Sequence, residues 1–175
     1  MTSLFRRLIG DRFDALPSPL RVVHDGAASR VFNGQCRVER GTSLLSRLCG
    51  AVASLPPAGE AVPIEVSIES NGRGETWKRD FGGKTMRSTM KERGGLLEER
   101  LGPTTFRFAL VAEGEAIEWR LAGVRSLGIP LPLAWFDKVS ARESLEGNLY
   151  CFDVRAELPV AGLLVHYRGT LNVGA

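Results

Sequence analysis

Residues 62–83 read VPIEVSIESNGRGETWKRDFGG, and this stretch decides the fold. Val62, Ile64, Val66 and Ile68 alternate with Glu65, Ser67 and Glu69, a period of two that places the apolar set on one face of a half-buried strand. Asn71-Gly72-Arg73-Gly74 is a hairpin turn signal, since Asn and Gly accept positive φ. Trp77, Arg79 and Phe81 then share one face of the returning strand, and Gly82-Gly83 turns the chain into residues 84–92.

The same rhythm continues downstream. Strands are expected at 95–101, 104–112, 115–124, 138–146, 149–158 and 163–173, separated by Gly102-Pro103, Glu113-Gly114, Gly147-Asn148 and Pro159 to Gly162. Turns this short join antiparallel neighbours, because parallel pairing needs a long crossover. Upstream, residues 29–40 read as a strand and 42–55 as a helix started by Thr42 or Ser43. Leu44, Leu45, Leu48, Val52 and Leu55 are the stripe that this helix is expected to bury. A first helix is expected over 2–16, from the spacing of Leu4, Phe5, Leu8, Ile9, Phe13 and Leu16, with Pro17 and Pro19 breaking the chain into a loop. The expected fold is α+β: two N-terminal helices packed on a strongly curved, mostly antiparallel sheet or half-barrel of about 7–9 strands, one domain over 1–175.

Bulk properties narrow the function classes. Hydrophobic residues make up 43% and charged residues 25%, which excludes a disordered or collagen-like chain. The net charge of +3 comes from interleaved signs, and no basic run exceeds Arg6-Arg7, so the phosphate-neutralising face of a nucleic-acid binder is not expected. Cys36, Cys49 and Cys151 are far apart and only His24 and His166 are histidines, so neither a disulfide framework nor a metal site is expected. Arg6, Arg7 and Asp11 interrupt the first apolar residues and no window is long enough to span a bilayer; a cytoplasmic protein is expected, with the first helix docked on its own core rather than on a membrane.

Catalytic signatures are missing: there is no GxSxG, HExxH or GxGxxG, and Gly82-Gly83-Lys84-Thr85 lacks both the first glycine and the following helix of a phosphate loop. The informative residues are polar groups on apolar strand faces. Period-two counting puts Arg79 with Trp77 and Phe81, Glu99 between Leu97 and Leu101, and Glu143 between Ala141 and Leu145. A buried charge must be paired, so Arg79 is expected to meet Glu99 or Glu143 inside the curved sheet. His24, beside Asp25, is expected in a loop or at the surface, and Tyr167 and Tyr150 in the core. Residues 127–136 (LGIPLPLAWF) are almost wholly apolar yet carry two prolines; Ile129, Pro130, Leu131, Trp135 and Phe136 are read as a lid.

His24, Trp77-x-Arg79-x-Phe81-Gly82, Ser88, Glu99-x-x-Gly102-Pro103, Gly128-Ile129-Pro130-Leu131-Pro132, Phe152-Asp153-Val154, Pro159-x-x-Gly162 and Tyr167-x-Gly169-x-Leu171 occur in that order. Together they resemble the bacterial family catalogued as domain of unknown function 4166, over nearly the whole chain. The family pattern has a Trp before the final Leu, where this chain has Thr170. The resemblance implies an accessory or ligand-binding module, since similar domains also occur behind reductase-like domains related to saccharopine dehydrogenase; no dinucleotide-binding portion is present here.

The leading expectation is a non-enzymatic module without a cofactor, binding a small, largely apolar or amphipathic molecule with an acidic group. Trp77, Arg79, Phe81, Glu99, Glu143 and Tyr167 form its candidate site. The alternatives are a hydrolase or isomerase using Glu99, Glu143 or His24 as general base, which requires titratable groups converging on an open cavity, and a protein-interaction domain docking on a reductase partner, which requires a flat apolar surface and no cavity.

Overall fold

The computed structural model describes residues 2–25 and 28–174. Eleven strands follow one another along the chain: β1 (Ser29–Arg40), β2 (Gly59–Ser70), β3 (Gly74–Phe81), β4 (Lys84–Arg93), β5 (Leu96–Leu101), β6 (Thr104–Glu113), β7 (Ala116–Ser126), β8 (Ile129–Leu131), β9 (Lys138–Glu146), β10 (Leu149–Leu158) and β11 (Gly162–Asn172). All paired neighbours are antiparallel. Consecutive pairing runs from β1 to β7, then through β9, β10 and β11 back to β1. Ten strands therefore close into a barrel, and the short β8 lies beside it on β7.

This corrects the expected α+β half-barrel. The protein is mostly β, with three short α-helices and 18% helix. Hairpin signals specify each neighbour pairing but not the one that closes the ring. Closure rests on four residues of β7, Ala116–Trp119, which pair with Ser144 to Ala141 of β9. Beyond Trp119, β7 turns from β9 to β8, pairing Val124 to Ser126 with Leu131 to Ile129. The wall is therefore split between the second half of β7 and the first residues of β9.

The N-terminal helices plug one end of the barrel. The expected helix over 2–16 is broken: α1 (Leu4–Ile9) stops at Gly10, whose φ of +70° leaves the helical region, and a 3-10 turn follows over Gly10–Phe13. The prolines do not make a loop either. Pro19 sits in the first turn of α2 (Ser18–His24), where a missing N–H costs nothing. Leu4, Phe5, Phe13, Leu16, Leu20 and Val23 are all buried at this end.

At the opposite end, α3 (Leu44–Val52) joins β1 to β2, and its orientation reverses the expected one. Ser46 and Gly50 are its buried residues, whereas Leu44 is 83% and Leu48 63% exposed, with Leu45 and Val52 exposed beside them. Hydrogen bonds on the polar face hold it so: Ser46 Oγ donates to the Leu163 carbonyl and Ser43 Oγ to that of Ala161, both at 2.6 Å. Beneath Gly50, the Arg40 guanidinium donates to the carbonyls of Leu164 and Pro56.

Candidate functional site

Inward-facing positions alternate along every strand, and the barrel's interior divides in two. Near the helical end, α1 inserts Phe5, which stacks on His24 with ring centroids 3.8 Å apart and packs against Trp77 and Trp119. Toward the far end the interior is hollow, with a cavity of about 140 Å³. Leu55, Leu101, Phe106 and Val139 line it at that end. Inner residues beside the split wall, such as Leu121, Ala141 and Ala156, are only half-buried, so the cavity is reached from the far end and the seam.

The β3 face predicted to carry Arg79 does point inward. Arg79 lines the cavity with only 11% of its side chain exposed, its guanidinium 5.0 Å from the Trp77 ring. Nη1 donates to Ser88 Oγ at 3.0 Å, and Nη2 lies 3.5 Å from Glu99 Oε1. The latter is an ion contact longer than a good hydrogen bond. A guanidinium carries five N–H groups, so donors remain beyond the one held by Ser88. Trp119, also on the cavity wall, buries its indole N–H without a partner.

Glu143 lines the same cavity but is committed to a different residue, one the sequence reading put in a loop or at the surface. His24 is the last residue of α2 and fully buried, and its Nε2 lies 2.5 Å from Glu143 Oε2. Its Nδ1 is buried with no partner, so an N–H there would be stranded; the tautomer that avoids this keeps its proton on Nε2 and donates it to Glu143. Tyr150 lies against Glu143 as well, and burial, then that carboxylate, pushes its hydroxyl well above the ordinary tyrosine range. Burial likewise pushes Tyr167 up to about 12 and the inward-facing Cys36 thiol up to about 11.

Of the six residues predicted to form the site, Trp77, Arg79, Glu99, Glu143 and Tyr167 line one cavity. Phe81 packs behind it, edge-on to Tyr167 at 5.4 Å. The stretch predicted as a lid forms β8 and a 3-10 turn (Leu133–Phe136) that lies against β7, on one side of the split, and against β10, the strand next to β9 on the other. Phe136 is its buried residue and meets Phe106 of the cavity wall edge-on at 6.4 Å, while Ile129 and Trp135 are exposed. Phe106, Phe108 and Trp119 line the cavity and were not singled out from sequence, although the alternation around Phe106 and Phe108 carried the signal; Tyr150, expected in the core, is buried and lines it too. Among the described residues no cluster of His, Cys, Asp or Glu is suited to hold a metal ion.

Comparison with curated proteins finds no match to the chain. A family model described as a domain of unknown function, DUF4166, matches residues 16–171 and so takes in His24, Arg79, Glu99, Glu143 and the cavity they share. The match covers nearly the whole chain, and the protein belongs to the DUF4166 family.

Proposed function

We propose that this barrel is a binding module for a small, largely apolar molecule that carries one acidic group. The observation behind the reading is Arg79, a largely buried guanidinium with donors to spare on the wall of an otherwise mostly apolar cavity. The partnerless indole N–H of Trp119 adds a second donor in need of an acceptor. A carboxylate answers such donors best, because charge-assisted pairs with a planar guanidinium are the strong ones. At about 140 Å³ the cavity suits a benzene-sized body or the end of a longer chain emerging through the split wall.

The enzyme alternative has in its favour that Glu99 and Glu143 converge on the cavity. Both are already engaged, Glu99 by Arg79 and Glu143 by His24. The raised Cys36 thiol and Tyr167 hydroxyl are protonated at neutral pH, so neither is a ready nucleophile. The cavity also weighs against the interaction-domain alternative, which calls for a filled interior.

The test is a matched ligand series read by thermal shift and calorimetry: benzoate, phenylacetate and hexanoate against benzamide and hexanol. The acids should raise Tm and the neutral counterparts should not. Arg79→Met should weaken binding of the acids by at least about tenfold. The double variant Arg79→Met/Glu99→Leu, which leaves no buried carboxylate unpaired, should be folded and equally deficient. Equal binding of acid and neutral counterparts, or of wild type and double variant, refutes the reading.

A further inference from the structure

Nine of the twelve large apolar residues exposed among the described residues lie at the end of the barrel opposite the helical plug. Four belong to the outward face of α3; Leu127, Ile129, Leu133 and Trp135 come from the β7–β9 connection, and Val160, at 96% exposure, from the β10–β11 turn. These pieces adjoin one another. Ser43 at the start of α3 bonds to Ala161, the last turn of α3 reaches Gly102 in the β5–β6 turn, and Leu127 N–H donates to the carbonyl of Pro103 in that same turn. Soluble proteins rarely leave so much contiguous apolar surface uncovered.

The charges around this surface indicate what covers it. Arg47 on α3, Lys84 at the start of β4, Arg100 near the end of β5 and Arg125 near the end of β7 are exposed, and none forms an ion pair among the described residues. Three carboxylates at this end are likewise without an ion pair, Glu65, Asp80 and Asp137, and Asp80 is held by the Gly83 N–H and the Thr85 hydroxyl. A second copy docked face to face would bring together two surfaces whose unpaired charges have the same net sign. An anionic bilayer takes both features at once, its headgroups meeting the cations and its acyl region the leucines and Trp135.

We propose that the far end of the barrel is a membrane-docking surface selective for anionic lipid. Bound this way, α3 and the 133–136 turn lie in the interface and the cavity opens toward the bilayer. The inference rests on the outer surface and holds whether or not the cavity takes an acid.

The experiment is co-flotation of the full chain with vesicles of phosphatidylcholine alone or mixed with phosphatidylglycerol. Binding is expected to the mixed vesicles and to weaken with salt. Leu44→Ser/Leu48→Ser, at exposed positions that leave the fold intact, should weaken it by about tenfold or more. Arg47→Gln and Arg125→Gln should each weaken it by about fivefold. Trp77 and Trp119 are buried, so a blue shift on adding mixed vesicles should disappear in Trp135→Phe. The proposal is overturned if wild type ignores the mixed vesicles at low salt, if the leucine variant floats as well as wild type, or if sedimentation shows a stable dimer that Leu48→Ser dissociates.

Discussion

His24 and Glu143 are 119 residues apart in sequence and share one short contact under Phe5, with the Tyr150 hydroxyl beside the carboxylate. The energetic consequence is asymmetric. Removing the imidazole leaves a buried carboxylate with only the Tyr150 hydroxyl to serve it, whereas removing both groups leaves no buried charge and only that neutral hydroxyl short of a partner. His24→Leu should therefore lower unfolding stability by about 3 kcal/mol in urea titrations, and His24→Leu/Glu143→Leu should recover most of that loss. Additive losses in the double variant would mean that the two residues contribute through packing alone. This pair also marks the limit of residue-level reading. Arg79 and Glu99 could be placed together because both sit on strands, where parity assigns a face. His24 lies at the end of a helix whose start is written in two prolines, and only the docking of that helix shows where its ring points.

Among the elements, α3 shows why a correct pattern can give a wrong face. Leu44, Leu45, Leu48 and Val52 do form one stripe, as their spacing requires, and the usual inference is that such a stripe is buried. Here the opposite face carries the hydrogen-bonding contacts that fix the helix, through Ser43, Ser46 and the Arg40 guanidinium lying under Gly50. Small polar residues read as solvent-facing in sequence, and nothing local reveals that the β10–β11 turn and the start of β11 each offer a carbonyl to receive them. Stability measurements should show the inversion directly. Ser46→Ala, which deletes a buried donor and leaves the Leu163 carbonyl unserved, should cost about 1 kcal/mol or more. Leu48→Ser should change stability by less than about 0.5 kcal/mol. The reverse order would return the leucine stripe to the core.

At the scale of the whole molecule, period-two alternation and turn chemistry locate the strands, because each depends on residues a few positions apart. Closure depends on residues some 25 apart across a four-pair seam, Ala116–Trp119 against Ala141–Ser144, with no turn signal of its own. A barrel with one thin seam should not be uniformly stable. On the opposite side β1 pairs with both β2 and β11 along most of its length, and the approach to β11 is close enough that a Cβ on Gly34 would sit 1.8 Å from the Thr170 carbonyl oxygen, and one on Gly169 2.1 Å from that of Gln35. Opening of a barrel begins where the fewest backbone bonds must break. Hydrogen exchange followed by mass spectrometry should thus find the least-protected strand amides in the first residues of β9 and the second half of β7, and the best-protected in β1, β2 and β11. An acid that occupies the cavity should slow exchange at the seam more than in β1. If the seam proves as protected as β1 in the free protein, the cavity is sealed there and its ligand must enter through the far end alone.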